Sequence, residues 1–136
     1  MRKQSVTSPA GAVTVLSISP RDENHSSVEA ILGHSTWILF KASDLVSAKA
    51  VLQRHEIGVV LCARDLPPGT WIDVLEQINV LPNAPSLIVA SKLADDRLWA
   101  EALNLGAWDV LATPFEPSEL IRSVTSGWQR WHGRIR

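Results

Sequence analysis

The sequence lacks several features that would each point to a particular kind of protein. It contains a single cysteine, Cys62, so neither a disulfide framework nor a cysteine-based zinc site is available to it. Its apolar runs stay well below the roughly 20 residues that cross a bilayer. The polar start MRKQSVTSPAGA has no apolar signal core. We therefore expect a cytoplasmic protein that does not enter a membrane.

An excess of charge and a glycine-rich phosphate loop are absent as well. Thirteen basic and fourteen acidic residues leave a formal charge of -1, which indicates neither nucleic acid nor a membrane surface as a partner. The segment SPRDENHS, residues 19–26, has no glycine, which argues against flavin and dinucleotide binding. The histidines lack metal-ligand spacing and are expected at the surface or at helix ends; they are His25, His34, His55 and His132. We predict no cofactor, no metal and no enzymatic activity.

Five short apolar runs, each followed by a helix-length segment, dominate the rest of the chain. Most of the runs are apolar throughout rather than alternating, as in strands that are buried on both faces of a parallel sheet. We predict an α/β fold in which a doubly wound, five-stranded parallel sheet is covered by five helices. This domain would occupy residues 12–136 after a flexible lead over residues 1–11, with no output domain. The runs are residues 12–18, 37–42, 57–62, 86–90 and 109–112.

Residues that favour helix ends support this alternation. Ser43 or Asp44 is expected to cap the second helix and Thr70 the third. Gly106 is expected just past the end of the fourth helix, and Pro117 in the first turn of the fifth. Ligands of doubly wound folds bind at the carboxyl ends of the strands. The segments to inspect for function are therefore residues 19–23, 63–69, 91–96 and 113–115.

Three of these regions resemble the receiver domain of bacterial two-component response regulators. VVLCARDLPPG, residues 59–69, resembles the family's third strand and loop, in which a proline follows the phospho-accepting aspartate by four residues. APSLIVAS, residues 84–91, resembles the fourth strand, and ADDRLWAEALNLGAWDVLATPFEPSEL, residues 94–120, resembles the segment from the fourth to the last helix. The resemblance covers residues 13–131 and implies a role in two-component (phosphorelay) signal transduction.

The resemblance also implies where the chemistry of the family would lie, and this sequence carries other residues there. An alanine cannot form an acyl phosphate, and Ser-Pro offers magnesium a single neutral oxygen. We therefore expect a degenerate receiver, or pseudo-receiver, that acts by protein–protein interaction without phosphorylation. In register, the metal-binding acids fall at Ser19 and Pro20, the phospho-acceptor at Ala63, the hydroxyl at Ala90 with Ser91 one place late, and the lysine at Thr113.

Two alternatives stay open. In the first, an atypical receiver is still phosphorylated at Asp65 with metal help from Asp22 or Glu23. Against it, Asp65 precedes two prolines as turn residues do, and Asp22 and Glu23 suit the first turn of a helix. In the second, a small-ligand-binding module uses the vacated crevice, which would require a concave pocket with convergent donors.

The resemblance implies a protein partner at one particular surface. In receivers the face of helix four, strand five and helix five is the usual dimer and partner surface, so a histidine kinase, another regulator or a second copy is expected there. Trp99, Trp108 and Val110, the last at the family's aromatic switch position, are the candidate contact residues, since tryptophan is enriched at interface hot spots. In the alternative interpretation, Trp99 and Trp108 are buried against neighbouring helices and contact no partner. The resemblance also implies a cis peptide bond before Pro114.

Overall fold

The computed structural model describes residues 12–33 and 35–135. Over these residues five sheet strands alternate with five helices. The predicted lead over residues 1–11 lies outside the described residues, as do His34 and Arg136. The elements are β1 Thr14–Ile18, α1 Asp22–Leu32, β2 Ile38–Ala42, α2 Leu45–Arg54, β3 Val59–Ala63, α3 Trp71–Asn79, β4 Ser86–Ser91, α4 Asp96–Leu105, β5 Asp109–Ala112 and α5 Pro117–Ile135.

The five strands form one parallel sheet in the order β2-β1-β3-β4-β5. One layer of the core involves α1 and α5, and the other involves α2, α3 and α4. The chain moves outward from β1 to β2 and then crosses back to β3, so the order of the strands reverses at the carboxyl ends of β1 and β3. The predicted doubly wound α/β fold is confirmed, and the reversal marks the place where such folds bind ligands.

Strand β3 illustrates why the apolar runs do not alternate. Val59 and Leu61 face the α1 and α5 layer, whereas Val60 and Cys62 face the opposite layer. All four side chains are at most 2% exposed, because consecutive side chains of a strand point to opposite faces and both faces are covered. Burial raises the pKa of the Cys62 thiol to about 12, so this thiol stays protonated and unreactive at neutral pH.

The helix ends follow the residues that favour them. Asp44 and Thr70 cap α2 and α3, each in a reciprocal capping box. Hydrogen bonds from Ser47 hold the pKa of the Asp44 carboxyl below its usual value. Gly106 follows α4 with a φ of 110°, in the left-handed region, and Pro117 is the first residue of α5. These predicted boundaries are confirmed.

Two local features depart from the expected pattern. Strand β5 begins at Asp109, so Trp108 precedes it, and its ring joins the α5 layer rather than the α4 layer that contains Val110. Between β3 and α3, residues Asp65–Leu66 pair with Gly69–Thr70 in a two-residue antiparallel ribbon. The sequence pattern predicted only a turn there. No helix within the described ranges is both long and apolar enough to cross a membrane.

Candidate functional site

An open cleft of about 510 Å³ lies at the carboxyl ends of the strands. It brings together the positions that the resemblance singled out, which are distant in sequence but meet because the strands are parallel. Asp22 and the three candidate contact residues are not part of its lining. The lining residues are Ser19, Pro20, Arg21, Glu23, Asn24, Ser27, Ala63, Arg64, Asp65, Ala90, Ser91, Lys92, Leu93, Thr113, Pro114 and Phe115.

The two positions after β1 offer no anionic oxygen to a cation. Ser19 is 3% exposed, and its Oγ accepts hydrogen bonds from the Asn24 side-chain amide (2.9 Å) and from the Arg21 backbone N–H (3.1 Å). Pro20 is exposed and carries no polar side-chain atom. The Ser19 hydroxyl therefore organises the entry into α1, and magnesium would find no carboxylate here.

The ends of β3 and β4 form a floor of methyl groups. Ala63 and Ala90 are directly paired in the parallel register, and both line the cleft. The Arg64 backbone N–H donates to the Ala90 carbonyl oxygen (2.8 Å), which fixes the strand end. Neither side chain can act as a nucleophile. The two alanines therefore leave room in the cleft and offer no reactive group.

The ends of β4 and β5 contribute two hydroxyl groups. Ser91 and Thr113 are half-buried, and the Thr113 backbone N–H donates to the Ser91 carbonyl oxygen (3.1 Å). Ser91 Oγ accepts a hydrogen bond from the Leu93 backbone N–H (3.1 Å). The Thr113-Pro114 peptide bond is cis, and Pro67-Pro68 is a second cis bond that the sequence did not suggest.

The acidic residues near the cleft do not form a metal site. The Asp65 carboxylate lies 3.8 Å from Arg64 Nε and its side chain is 72% exposed, while Glu23 accepts a hydrogen bond from Arg21 (3.1 Å). Asp22 is exposed in the first turn of α1. Within residues 12–33 and 35–135, no three His, Cys, Asp or Glu side chains come together so as to hold a metal ion. This geometry gives no support to a metal-assisted reaction at Asp65.

His25 is buried beneath the cleft, so the expectation of surface or helix-end histidines is wrong for this residue. It is 7% exposed, and its ring bridges the Ser19 carbonyl oxygen to Nε2 (3.0 Å) and the Ser17 hydroxyl to Nδ1 (3.0 Å). Because a carbonyl oxygen only accepts, Nε2–H donates to it and Nδ1 accepts from Ser17. The signal for burial was present, since His25 continues the helical stripe of Val28 and Leu32.

The sequence interpretation missed the basic residues of the rim. Arg21, Arg64 and Lys92 line the cleft together with two acidic residues, which leaves it with one net positive charge. Arg64 and Lys92 directly follow the last residues of β3 and β4. That position, immediately after a buried strand, is the signal that could have identified them.

The three candidate contact residues do not form one surface. Trp99 on α4 is 51% exposed, whereas Val110 is 8% exposed and lies beneath α4. The Trp108 indole is half-buried; its Nε1 donates to Ser126 Oγ (3.1 Å), and the Arg130 guanidinium lies 5.1 Å from its ring. Val110 is therefore a core residue and Trp108 packs on α5, whereas Trp99 is the most exposed of the three.

Comparison with known proteins agrees with this architecture. Transcriptional regulatory protein DpiA of Escherichia coli (strain K12) is 29% identical over 128 residues, which cover 93% of this chain and 56% of DpiA, so the chain spans about half the length of that relative. The signal receiver domain of an HD domain-containing protein from Pseudomonas fluorescens Pf-5 has a TM-score of 0.83 at 21% identity, with 97% of this chain and 96% of that chain covered. The beryllofluoride-activated NtrC4 receiver domain dimer has a TM-score of 0.78 at 19% identity, with 87% and 98% covered.

A family model gives the assignment directly. The model described as the response regulator receiver domain matches residues 15–125. That range begins in β1 and ends inside α5, so it includes every strand of the sheet and the whole edge that carries the cleft. The chain therefore belongs to the response regulator receiver domain family.

Proposed function

We propose that this chain is a pseudo-receiver module of two-component signal transduction, which works in the cytoplasm through protein contact and accepts no phosphate on an aspartate. One observation carries the proposal: a methyl group, that of Ala63, stands at the end of β3 opposite Ala90. The carboxyl edge has the architecture of a receiver, but the positions of the family's reactive groups carry other residues. We propose no enzymatic activity and no cofactor.

Three separate losses make residual phosphorylation unfavourable. Ala63 has no oxygen with which to attack a phosphoryl donor. Ser19 and Pro20 provide no carboxylate for magnesium, which prefers anionic oxygen ligands. Thr113 supplies no fixed positive charge for the transferring phosphoryl group. All three losses weaken the same transition state, so a group that compensated for one of them would not restore the reaction.

Incubation with acetyl phosphate and magnesium tests the proposal. We expect the intact mass of the protein to stay unchanged, because no aspartate is held next to a metal ion and a cation. The matched control is Asp65→Asn, which should behave identically to the unchanged chain. Gain of one covalently bound phosphoryl group, and its loss in Asp65→Asn, would overturn the proposal in favour of an atypical receiver.

The proposed partner surface is the exposed side of α4, β5 and α5. Trp99 and Leu105 on α4 are 51% and 47% exposed, and Ile121 on α5 is 41% exposed. Large apolar side chains that are this exposed on adjacent elements suit contact with another protein. The candidate partners are a histidine kinase, another regulator or a second copy of the chain.

A further inference from the structure

The cleft contains room that no side chain of its own fills. Ala63 at the end of β3 and Ala90, the residue before the last of β4, present methyl groups to an open volume of about 510 Å³. A cavity of this size is in the range that small ligands occupy. What the lining offers to a ligand depends on the charges and hydrogen-bond donors around this floor.

The rim of the cleft leaves one cation without a partner. Glu23 pairs with Arg21 at 3.1 Å, and Asp65 lies 3.8 Å from Arg64. Lys92 is an exposed residue of the lining, and it forms no ion pair with any carboxylate in the part of the chain that the structure describes. An incoming anion would therefore meet Lys92 without displacing an internal partner.

Two hydroxyl groups are also free to donate into the cleft. Ser91 Oγ accepts a hydrogen bond from the Leu93 backbone N–H (3.1 Å), which leaves its own hydrogen available. The Thr113 hydroxyl, like that of Ser91, has no acceptor among residues 12–33 and 35–135. Ser91 precedes Lys92 in the chain and is hydrogen-bonded through its carbonyl oxygen to the Thr113 backbone N–H, and all three residues line the cleft.

The same cleft has an apolar side. Leu93 is 62% exposed, and Phe115 is half-buried in the loop that precedes α5; both are lining residues. An apolar group that packs against them would remove hydrocarbon surface from water, which favours binding.

We propose that this cleft binds a small oxyanion that carries one apolar group, a carboxylate or a phosphate monoester, directly and without a metal ion. The oxyanion accepts from Lys92, Ser91 and Thr113, and the apolar group contacts Leu93 and Phe115. This role is independent of phosphoryl transfer and goes beyond the protein contact proposed above, because it gives the edge of the sheet a ligand of its own.

The test is an NMR titration of the whole chain in magnesium-free buffer with phenyl phosphate as the probe. We expect saturable shifts of the amide signals of residues 63–65, 91–93 and 113–115. Inorganic phosphate should produce smaller shifts in the same signals, and benzyl alcohol, which lacks the charge, should produce none. Shifts that require added magnesium, or shifts scattered over the whole surface, would overturn the proposal.

Two lysine variants make the test specific. Lys92→Gln should weaken phenyl phosphate binding by up to about fivefold, as expected for one exposed charge, and Lys92→Glu should weaken it further. The matched control is Lys49→Gln, which removes an exposed lysine of α2 outside the cleft and should leave the affinity unchanged. Equal effects of Lys92→Gln and Lys49→Gln would mean that the probe follows net charge, which overturns the site.

Discussion

At the scale of single residues, short uncharged side chains at the cleft are held by the backbone of the strand ends. The Ser19 backbone N–H donates to the Ala42 carbonyl oxygen (3.0 Å), the Thr113 backbone N–H donates to the Ser91 carbonyl oxygen (3.1 Å), and Ala63 is paired with Ala90. These backbone bonds do not involve the side chains. Substitutions here should change the chemistry of the cleft while the sheet keeps its form.

Because backbone bonds hold the strand ends, substitutions at these positions are expected to be able to restore phosphorylation. Ala63→Asp alone should remain unmodified by acetyl phosphate, since an aspartate there would still lack a metal ion and a cation. A variant that combines Ala63→Asp with Ser19→Asp, Pro20→Asp and Thr113→Lys should gain one phosphoryl group in intact-mass measurements. Circular dichroism of each variant checks that the fold is retained. Equal phosphorylation of the single and combined variants would contradict this explanation.

The residues of the site were predictable to different degrees. The in-register positions, such as Ala63 four residues before Pro67, were implied by the resemblance to receiver domains, whose spacing this stretch matches. The ion pairs of Arg21 and Arg64 did not, because long side chains at a strand end can point in several directions. The burial of His25 was missed because histidine is usually exposed, and its position on the buried face of α1 was not considered.

At the scale of elements, the apolar runs located every sheet strand to within two residues, because a strand that is covered on both faces has a nearly continuous apolar sequence. The small ribbon Asp65–Leu66 and Gly69–Thr70 was not predictable in this way. It has only two residues on each side, too few for a pattern.

Two glycine-to-alanine substitutions test whether the end of α4 requires a left-handed backbone conformation. Gly106→Ala should lower the free energy of unfolding by about 1–2 kcal/mol, because its φ of 110° is unfavourable for any residue with a Cβ. Apart from its chain neighbours, no atom of residues 12–33 and 35–135 lies within 4 Å of the position that the new Cβ would take, so the cost comes from the backbone conformation.

The matched control is Gly133→Ala in α5, where a Cβ would meet no atom of the described residues within 4 Å beyond the neighbouring backbone of its own helix. Its helical backbone suits alanine, so this change should raise the free energy of unfolding by up to roughly 1 kcal/mol. Urea denaturation followed by circular dichroism measures both variants. Stabilisation by both alanines would show that the Gly106 conformation is not required.

At the scale of the whole molecule, the domain has two distinct surfaces with different proposed roles. The cleft lies at the carboxyl ends of the strands, whereas Trp99 projects from α4 beside β5, the edge strand of the sheet. A partner on the second surface therefore leaves the first one open, and the two proposals can fail separately.

Association of two copies can be measured through Trp99. If a second copy is the partner, Trp99→Arg should weaken the dimer by about 2 kcal/mol, roughly 30-fold, as for an interface hot spot. Val46→Arg is the control, because Val46 is 80% exposed and lies on α2, away from this surface. Sedimentation velocity over a range of concentrations gives the dissociation constants. A chain that stays monomeric throughout would eliminate the second copy as the partner, and an equal loss in Val46→Arg would place the interface elsewhere.

The path of α5 has a practical consequence for handling the protein. Trp131, near the end of α5, donates from Nε1 to the Asn83 carbonyl oxygen (3.1 Å) and lies against Gly58, just before β3. The start of β1 lies at this same amino edge. A fluorescent dye or a surface linker attached to a residue near Trp131 would thus sit at the pole opposite the cleft. Protein captured through such a linker on a biosensor chip would present the cleft to the flowing solution.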